Sequence, residues 1–97
     1  MVNPVVVSNT TPLIALAWLE RPDLLPTFFG VVHIPRAVYD EIQRDPEAIG
    51  AAELSAAPWL VVTPVTDALA VELLQDQLDA GESAAIVLAH ELRPGFW

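Results

Sequence analysis

The chain has 97 residues, of which 54% are apolar, and its thirteen acidic residues face four arginines, for a formal net charge of −9. This length allows one domain at most, and the apolar content argues against a disordered chain. The absence of cysteine excludes disulfides and thiolate metal sites. No apolar run approaches the roughly 18 residues of a membrane span, and the start of the chain lacks a signal-peptide pattern, so we expect a cytoplasmic protein with no membrane segment.

The negative net charge also limits the kinds of molecule that the chain is expected to bind. Proteins that hold nucleic acid by bulk electrostatics carry the opposite charge. A solvated acidic surface that favours solubility is the simplest interpretation. If the chain does bind nucleic acid, bound cations or a basic partner must offset the repulsion.

The first structured stretch is predicted to be a strand, a tight polar turn and a helix. Residues 5–7 are three consecutive valines, a pattern typical of a strand buried on both faces. The polar run over residues 8–11 ends that strand, and Pro12 suits the first position of a helix. Thr11 is then the predicted N-cap, and the helix is expected to run to about Leu19.

Strands and helices continue to alternate along the rest of the chain. Further strands are predicted over residues 31–34 and 59–63. Further helices are predicted to begin near Asp23, Pro35, Glu47, Asp67 and Asp79, the last of them ending at about Leu92. This alternation predicts an α/β fold with a parallel sheet and helices on its faces, in a single domain over residues 1–97.

Several apolar and aromatic residues are candidates for the core. Those at helical spacing or within apolar segments are Leu13, Leu16, Ala17, Leu69, Leu73, Leu74, Trp18, Tyr39 and Trp59. His33, inside an apolar strand, is interpreted as a histidine whose ring is satisfied by a neighbour rather than as a metal ligand.

Three polar residues lie after predicted strands or near helix starts, where metal-binding side chains are expected. Asn9 follows the first predicted strand, Glu41 lies one turn into the helix after the second, and Glu82 opens the last helix. Carboxylates gathered at the carboxyl edge of a parallel sheet can hold Mg²⁺ or Mn²⁺, which favour oxygen ligands. Such an ion can activate water against a phosphodiester.

Each of these residues also has a purely structural interpretation. Asn9 could adopt a turn and bond its own backbone. Asp40 and Glu41 could form a solvated helix face, the usual environment of such pairs. Asp79 and Glu82 fit a capping box as well as they fit a metal site.

Three segments of the chain, taken together and in this order, resemble PIN domains. They are VVVSNTTPLIAL over residues 5–16, IPRAVYDEI over residues 34–42 and LDAGESAAIVLA over residues 78–89. The resemblance is to the bacterial and archaeal subgroup called DUF3368, related to VapC-type toxins, and it extends from Val5 to about Leu92.

The resemblance implies a three-layer α/β/α sandwich with a parallel sheet and a metal-dependent ribonuclease activity. The family's acidic ligands for Mg²⁺ or Mn²⁺ correspond in position to Asn9, Glu41 and Glu82, and Thr11 corresponds to the hydroxyl residue that supports the first ligand. The implied partners are RNA, a cognate antitoxin and a second copy of the domain.

Two departures from the family pattern leave two hypotheses. The first acid is replaced by Asn9, an amide that also occurs within the subgroup, and the usual last strands with their acidic pair are missing, so we expect a truncated domain. One hypothesis is a toxin-like endoribonuclease that uses Glu41 and Glu82. The other is a catalytically inactive module that acts by dimerisation or by binding an antitoxin through exposed apolar surface.

Overall fold

The computed structural model describes residues 5–21 and 23–93, and these form a parallel sheet flanked by helices. The strands are β1 (Val6–Val7), β2 (Val32–Ile34) and β3 (Leu60–Val62). The helices are α1 (Thr10–Trp18), α2 (Leu24–Phe29), α3 (Arg36–Gln43), α4 (Ala51–Ala56), α5 (Ala68–Leu74) and α6 (Ala80–Leu92). None of the described helices is long and apolar enough to cross a membrane.

The sheet confirms the predicted α/β class. Its strands run parallel in the order β1-β2-β3, with Val6 opposite Val32 and Val32 opposite Leu60. Each strand is one or two residues shorter than its predicted segment. The arrangement is consistent with the α/β/α fold of a PIN domain, and it places the carboxyl ends of all three strands at one edge.

The main apolar core lies where α1, α3 and α4 meet the sheet. Its buried members are Leu13, Ala17, Ile34, Val38, Ile42 and Leu54. Tyr39 and Trp59 pack against this cluster, as predicted. The core assignment of Trp18 is wrong, because that side chain is 67% exposed. Leu13 and Ala17, four residues apart, face the core, and Trp18 lies about 100° further round the helix.

The helix pair α5–α6 differs from its prediction in what it buries. Both helices form where expected, and α6 buries a stripe of small and apolar residues that includes Ala84 and Leu88. However, Leu69 and Leu73 on α5 are 64% and 68% exposed. Their helical spacing therefore marks an outward-facing apolar stripe rather than a core-facing one.

The predicted N-cap of the first helix lies two residues too late. The helix begins at Thr10, and the cap position is Asn9, whose side chain makes no capping hydrogen bond. Pro12 is thus the third helical residue instead of the first, which the first turn tolerates because its N–H groups have no acceptor within the helix. Pro26 occupies the same third position in α2.

The histidine in the second strand behaves as predicted. Nδ1 of His33 lies 2.8 Å from the hydroxyl oxygen of Thr63, one residue beyond β3. This bond gives one ring nitrogen a partner on the neighbouring strand's end, as a structural histidine requires, and accounts for the position of His33 without a metal.

Candidate functional site

The first element of the site is the end of β1. The Ser8 N–H donates to the carbonyl of His33 at 3.0 Å and extends the parallel ladder by one residue. Asn9 follows with an extended backbone (φ −95°, ψ −174°) and begins the connection into α1. Since its side chain does not cap the helix, the amide of Asn9 is available to another partner.

The second element is Glu41 on α3, whose carboxylate turns inward. Its Oε2 accepts a 2.7 Å hydrogen bond from the hydroxyl of Thr10. Its Oε1 lies against Gly81, a buried residue in the first turn of α6, so closely that a Cβ at position 81 would overlap it. The solvated-face interpretation therefore applies to Asp40, which is exposed and pairs with Arg36 at 3.0 Å, and not to Glu41.

The third element is Glu82, the residue after Gly81. Its backbone N–H donates to Oδ1 of Asp79 at 2.8 Å, which confirms Asp79 as the N-cap of α6. The reciprocal half of a capping box, from the Asp79 N–H to the Glu82 carboxylate, is absent from the hydrogen bonds of the described residues. Capping thus accounts for Asp79 and leaves the carboxylate of Glu82 exposed and uncommitted.

The structure brings the three predicted residues to neighbouring positions without closing them into one cluster. Asn9 and Glu82 line the same groove, of about 360 Å³, beside β1. Glu41 lines an adjacent groove of about 640 Å³ together with Thr10 and Trp18. Within residues 5–21 and 23–93, no three His, Asp or Glu side chains converge as a ready-made metal site.

In the described part of the chain, basic side chains do not balance the charges of Glu41 and Glu82. The ion pairs Arg21–Asp23 and Arg36–Asp40 lie elsewhere on the surface. Glu41 instead contacts the first turns of α1 and α6, and Glu82 lies in the first turn of α6. Helix N-termini attract negative charge, so both carboxylates lie at positions where an acidic side chain is favourable without an arginine beside it.

Two further residues of this site, Thr10 and Gly81, were not predicted from the sequence. Thr10 contacts Glu41 directly, whereas Thr11, the residue expected to support the site, is exposed at the second position of α1. The supporting role of Thr11 toward Asn9 stays a prediction. Gly81 left a signal in the sequence, because glycine inside a helix is unfavourable relative to alanine and needs a reason. Nothing in the sequence alone separates Thr10 from Thr11.

A parallel sheet with helices on its faces, and with Asn9, Glu41 and Glu82 at neighbouring positions near its carboxyl edge, is typical of α/β domains that carry their functional site at that edge. The sequence profile of DUF3368, described as a PIN domain, matches residues 5–95. The chain therefore belongs to the DUF3368 family of PIN domains. Neither the curated proteins nor the solved structures give a match to the chain.

PIN domains generally use divalent metal ions, and the donors present here fit such an ion in kind. Glu41, Glu82 and Asn9 offer two carboxylates and one amide oxygen, all of them hard ligands. Mg²⁺ is commonly bound through one or two protein carboxylates, with waters and substrate phosphates completing its shell. The residues thus suit an open, water-rich site better than a closed all-protein cage.

Proposed function

We propose that this PIN domain is a toxin-type, metal-dependent endoribonuclease that hydrolyses RNA phosphodiesters. The observation that supports the proposal is the set of contacts around the carboxylate of Glu41. The carboxylate is half-buried, is oriented by a neutral hydroxyl and a glycine, and has no basic partner among the described residues, so a cation can approach it as its counter-ion. The two residues that Glu41 contacts, Thr10 and Gly81, are directly adjacent in sequence to the other two candidate ligands, Asn9 and Glu82.

In this proposal Glu41, Glu82 and the amide oxygen of Asn9 hold Mg²⁺ or Mn²⁺. When bound, the ion supplies a water activated for attack and stabilises charge on the phosphodiester. Thr10 fixes one oxygen of Glu41, so the carboxylate does not have to be ordered when substrate arrives. Asn9 adds a ligand without charge, and the site is accordingly less negative than one with three carboxylates.

The proposed substrate is RNA, and the net charge of the chain bears on how RNA would be bound. RNA is a polyanion and the chain carries a formal net charge of −9, so the cation is also needed to relieve repulsion at the site. A cytoplasmic location, a cognate antitoxin and a second copy of the domain complete the toxin-type proposal. Like the RNA substrate, they rest on the family relationship.

Cleavage of a short RNA carrying a fluorophore and a quencher tests this function. We expect cleavage with Mg²⁺ or Mn²⁺, none with excess EDTA, and loss of activity in Glu41→Gln and in Glu82→Gln. Glu72→Gln is the matched control, since Glu72 is an exposed acid on α5, away from the site. Purified protein that leaves RNA intact with both metals would contradict the proposal.

A second candidate function is a binding module without catalysis, and one specific observation favours it. Leu69, Leu73 and Ile86 of α5 and α6 are 64%, 68% and 50% exposed. Such side chains on adjacent helices are typical of a surface that another protein covers. A homodimer formed through this face is the simplest form of the proposal.

Sizing by light scattering tests the dimer. We expect Leu73→Glu to convert a dimer into a monomer, because a buried carboxylate without a partner destabilises an interface. Leu19→Glu is the matched control, a leucine of similar exposure (70%) at the end of α1. A wild-type protein that remains monomeric at high concentration would contradict this form of the second function.

A further inference from the structure

Gly81 occupies a position where the backbone itself does not require glycine. It is the second residue of α6, and it is buried. The described glycines with positive φ are Gly30 and Gly50, and Gly81 is not among them. Since alanine is the better helix former, the reason for glycine at position 81 has to be space.

The space left by Gly81 is filled by the carboxylate of Glu41. A Cβ at position 81 would overlap Oε1 and would lie 3.0 Å from Cδ and 3.3 Å from Oε2. All three atoms belong to the end of a flexible side chain. A side chain at position 81 would therefore push the carboxylate aside, and would not disrupt the backbone packing of α3 and α6.

We propose that Gly81 is a positioning residue. Because it has no side chain, it leaves room beside α6 for the carboxylate of Glu41, which can then point at Thr10. In this way Gly81 sets the affinity of the site for a divalent cation. The metal-binding part rests on the proposed function, whereas the aiming of Glu41 does not. Gly81 has no side chain that could bind the ion, so its effect on affinity must pass through Glu41.

The first arm of the test needs no metal and measures the coupling between Thr10 and position 81. Thr10→Val is made in the wild type and in Gly81→Ala, and the midpoints of urea unfolding are compared. We expect Thr10→Val to lower the midpoint in the wild type and to change it little in Gly81→Ala, where the hydrogen bond is already lost. An equal loss in both backgrounds would overturn the proposal.

The second arm measures Mn²⁺ binding by calorimetry. We expect Gly81→Ala to weaken binding about tenfold or more, as loss of a group that orients a ligand does, while its unfolding midpoint changes little, because the better helix propensity of alanine offsets much of the lost hydrogen bond. Binding like that of the wild type would overturn the proposed effect on affinity. The matched control adds Gly81→Ala to the Glu41→Asp variant, where the shorter side chain clears the new methyl group and the added loss should be small.

The two arms separate the two claims. If the wild type binds no Mn²⁺ but the metal-free coupling disappears in Gly81→Ala, the aiming of Glu41 is supported and the proposed function fails. The other case is that Mn²⁺ binds and that Gly81→Ala weakens Mn²⁺ binding equally in the wild type and in the Glu41→Asp variant. Gly81 would then act on the fold and not through Glu41, and the proposal would be overturned.

Discussion

The hydroxyl of Thr10 donates a 2.7 Å hydrogen bond to Oε2 of Glu41, across 31 residues of chain. This bond joins the start of α1, just beyond β1, to the last turn of α3. Gly81, at the start of α6, lies against the other oxygen of the same carboxylate. One side chain thus ties together three helices, and the contacts that orient a candidate ligand also hold the fold.

Replacing Thr10 by valine should reduce the stability of the protein. The change keeps the shape and removes the donor, leaving a half-buried carboxylate with one partner fewer, so we expect the free energy of unfolding to fall by about 1–2 kcal/mol. Urea denaturation measures the loss. Thr10→Ser, which keeps the hydroxyl, should recover most of it.

Thr11→Val is the matched control for that change. Thr11 has the same side chain one residue later but is exposed, so its substitution should alter the free energy of unfolding by less than about 0.5 kcal/mol. Equal losses in the two valine variants would show that the hydroxyl of Thr10 does not hold Glu41.

The sequence predicted the path of the chain better than the direction of its side chains. The order of elements and the parallel sheet could be predicted because alternating apolar strands and helices have few other arrangements. The directions of the Trp18 and Thr11 side chains could not be predicted in this way. Neighbouring residues on a helix point about 100° apart, so even a small error in the start of α1 changes which threonine is expected to reach Glu41.

The candidate site residues could be proposed from the sequence, but the contacts that support them could not. Asn9, Glu41 and Glu82 could be named from their places after strands and at helix starts. Their support depends on tertiary contacts, of which the close approach of Gly81 to Glu41 is the clearest, and no local pattern fixes how far α6 lies from α3.

The N-cap of α6 should contribute measurably to stability. Oδ1 of Asp79 accepts the N–H of Glu82 at 2.8 Å, and we expect Asp79→Ala to cost about 1 kcal/mol in the free energy of unfolding. Asp79→Asn, which keeps an acceptor, should cost less. Thermal melts followed by circular dichroism compare the two, and an alanine variant as stable as the asparagine variant would count against the cap.

The core beneath the site should be sensitive to cavities. Leu13 on α1 is fully buried against α3 and α4, and we expect Leu13→Ala to lower the free energy of unfolding by about 2–5 kcal/mol. Leu19→Ala, at the exposed end of the same helix, should change it by less than about 0.5 kcal/mol. Similar denaturation midpoints for the two variants would place the core elsewhere.

The link between α5 and α6 should make stability depend on pH. The carboxylate of Glu91 accepts hydrogen bonds from the backbone N–H groups of Thr66 at 2.9 Å and Asp67 at 2.8 Å, next to the start of α5. The bond from Thr66 is the largest cause that lowers the pKa of Glu91, and the bond from Asp67 adds to it against an opposing effect of burial.

Because the pKa of Glu91 is lower in the folded chain, the charged form is the one that stabilises the fold. Its contribution is complete above the unfolded value of about 4.3 and is lost as the pH falls through the lower folded value. Glu91→Gln keeps the size of the side chain but offers one acceptor oxygen to two N–H groups. We therefore expect this variant to be less stable than the wild type at pH 7, with the difference shrinking as the pH falls below about 4. Urea midpoints of both proteins across this range measure the effect, and a difference that stays constant down to about pH 3 would show that the charge of Glu91 does not stabilise the start of α5.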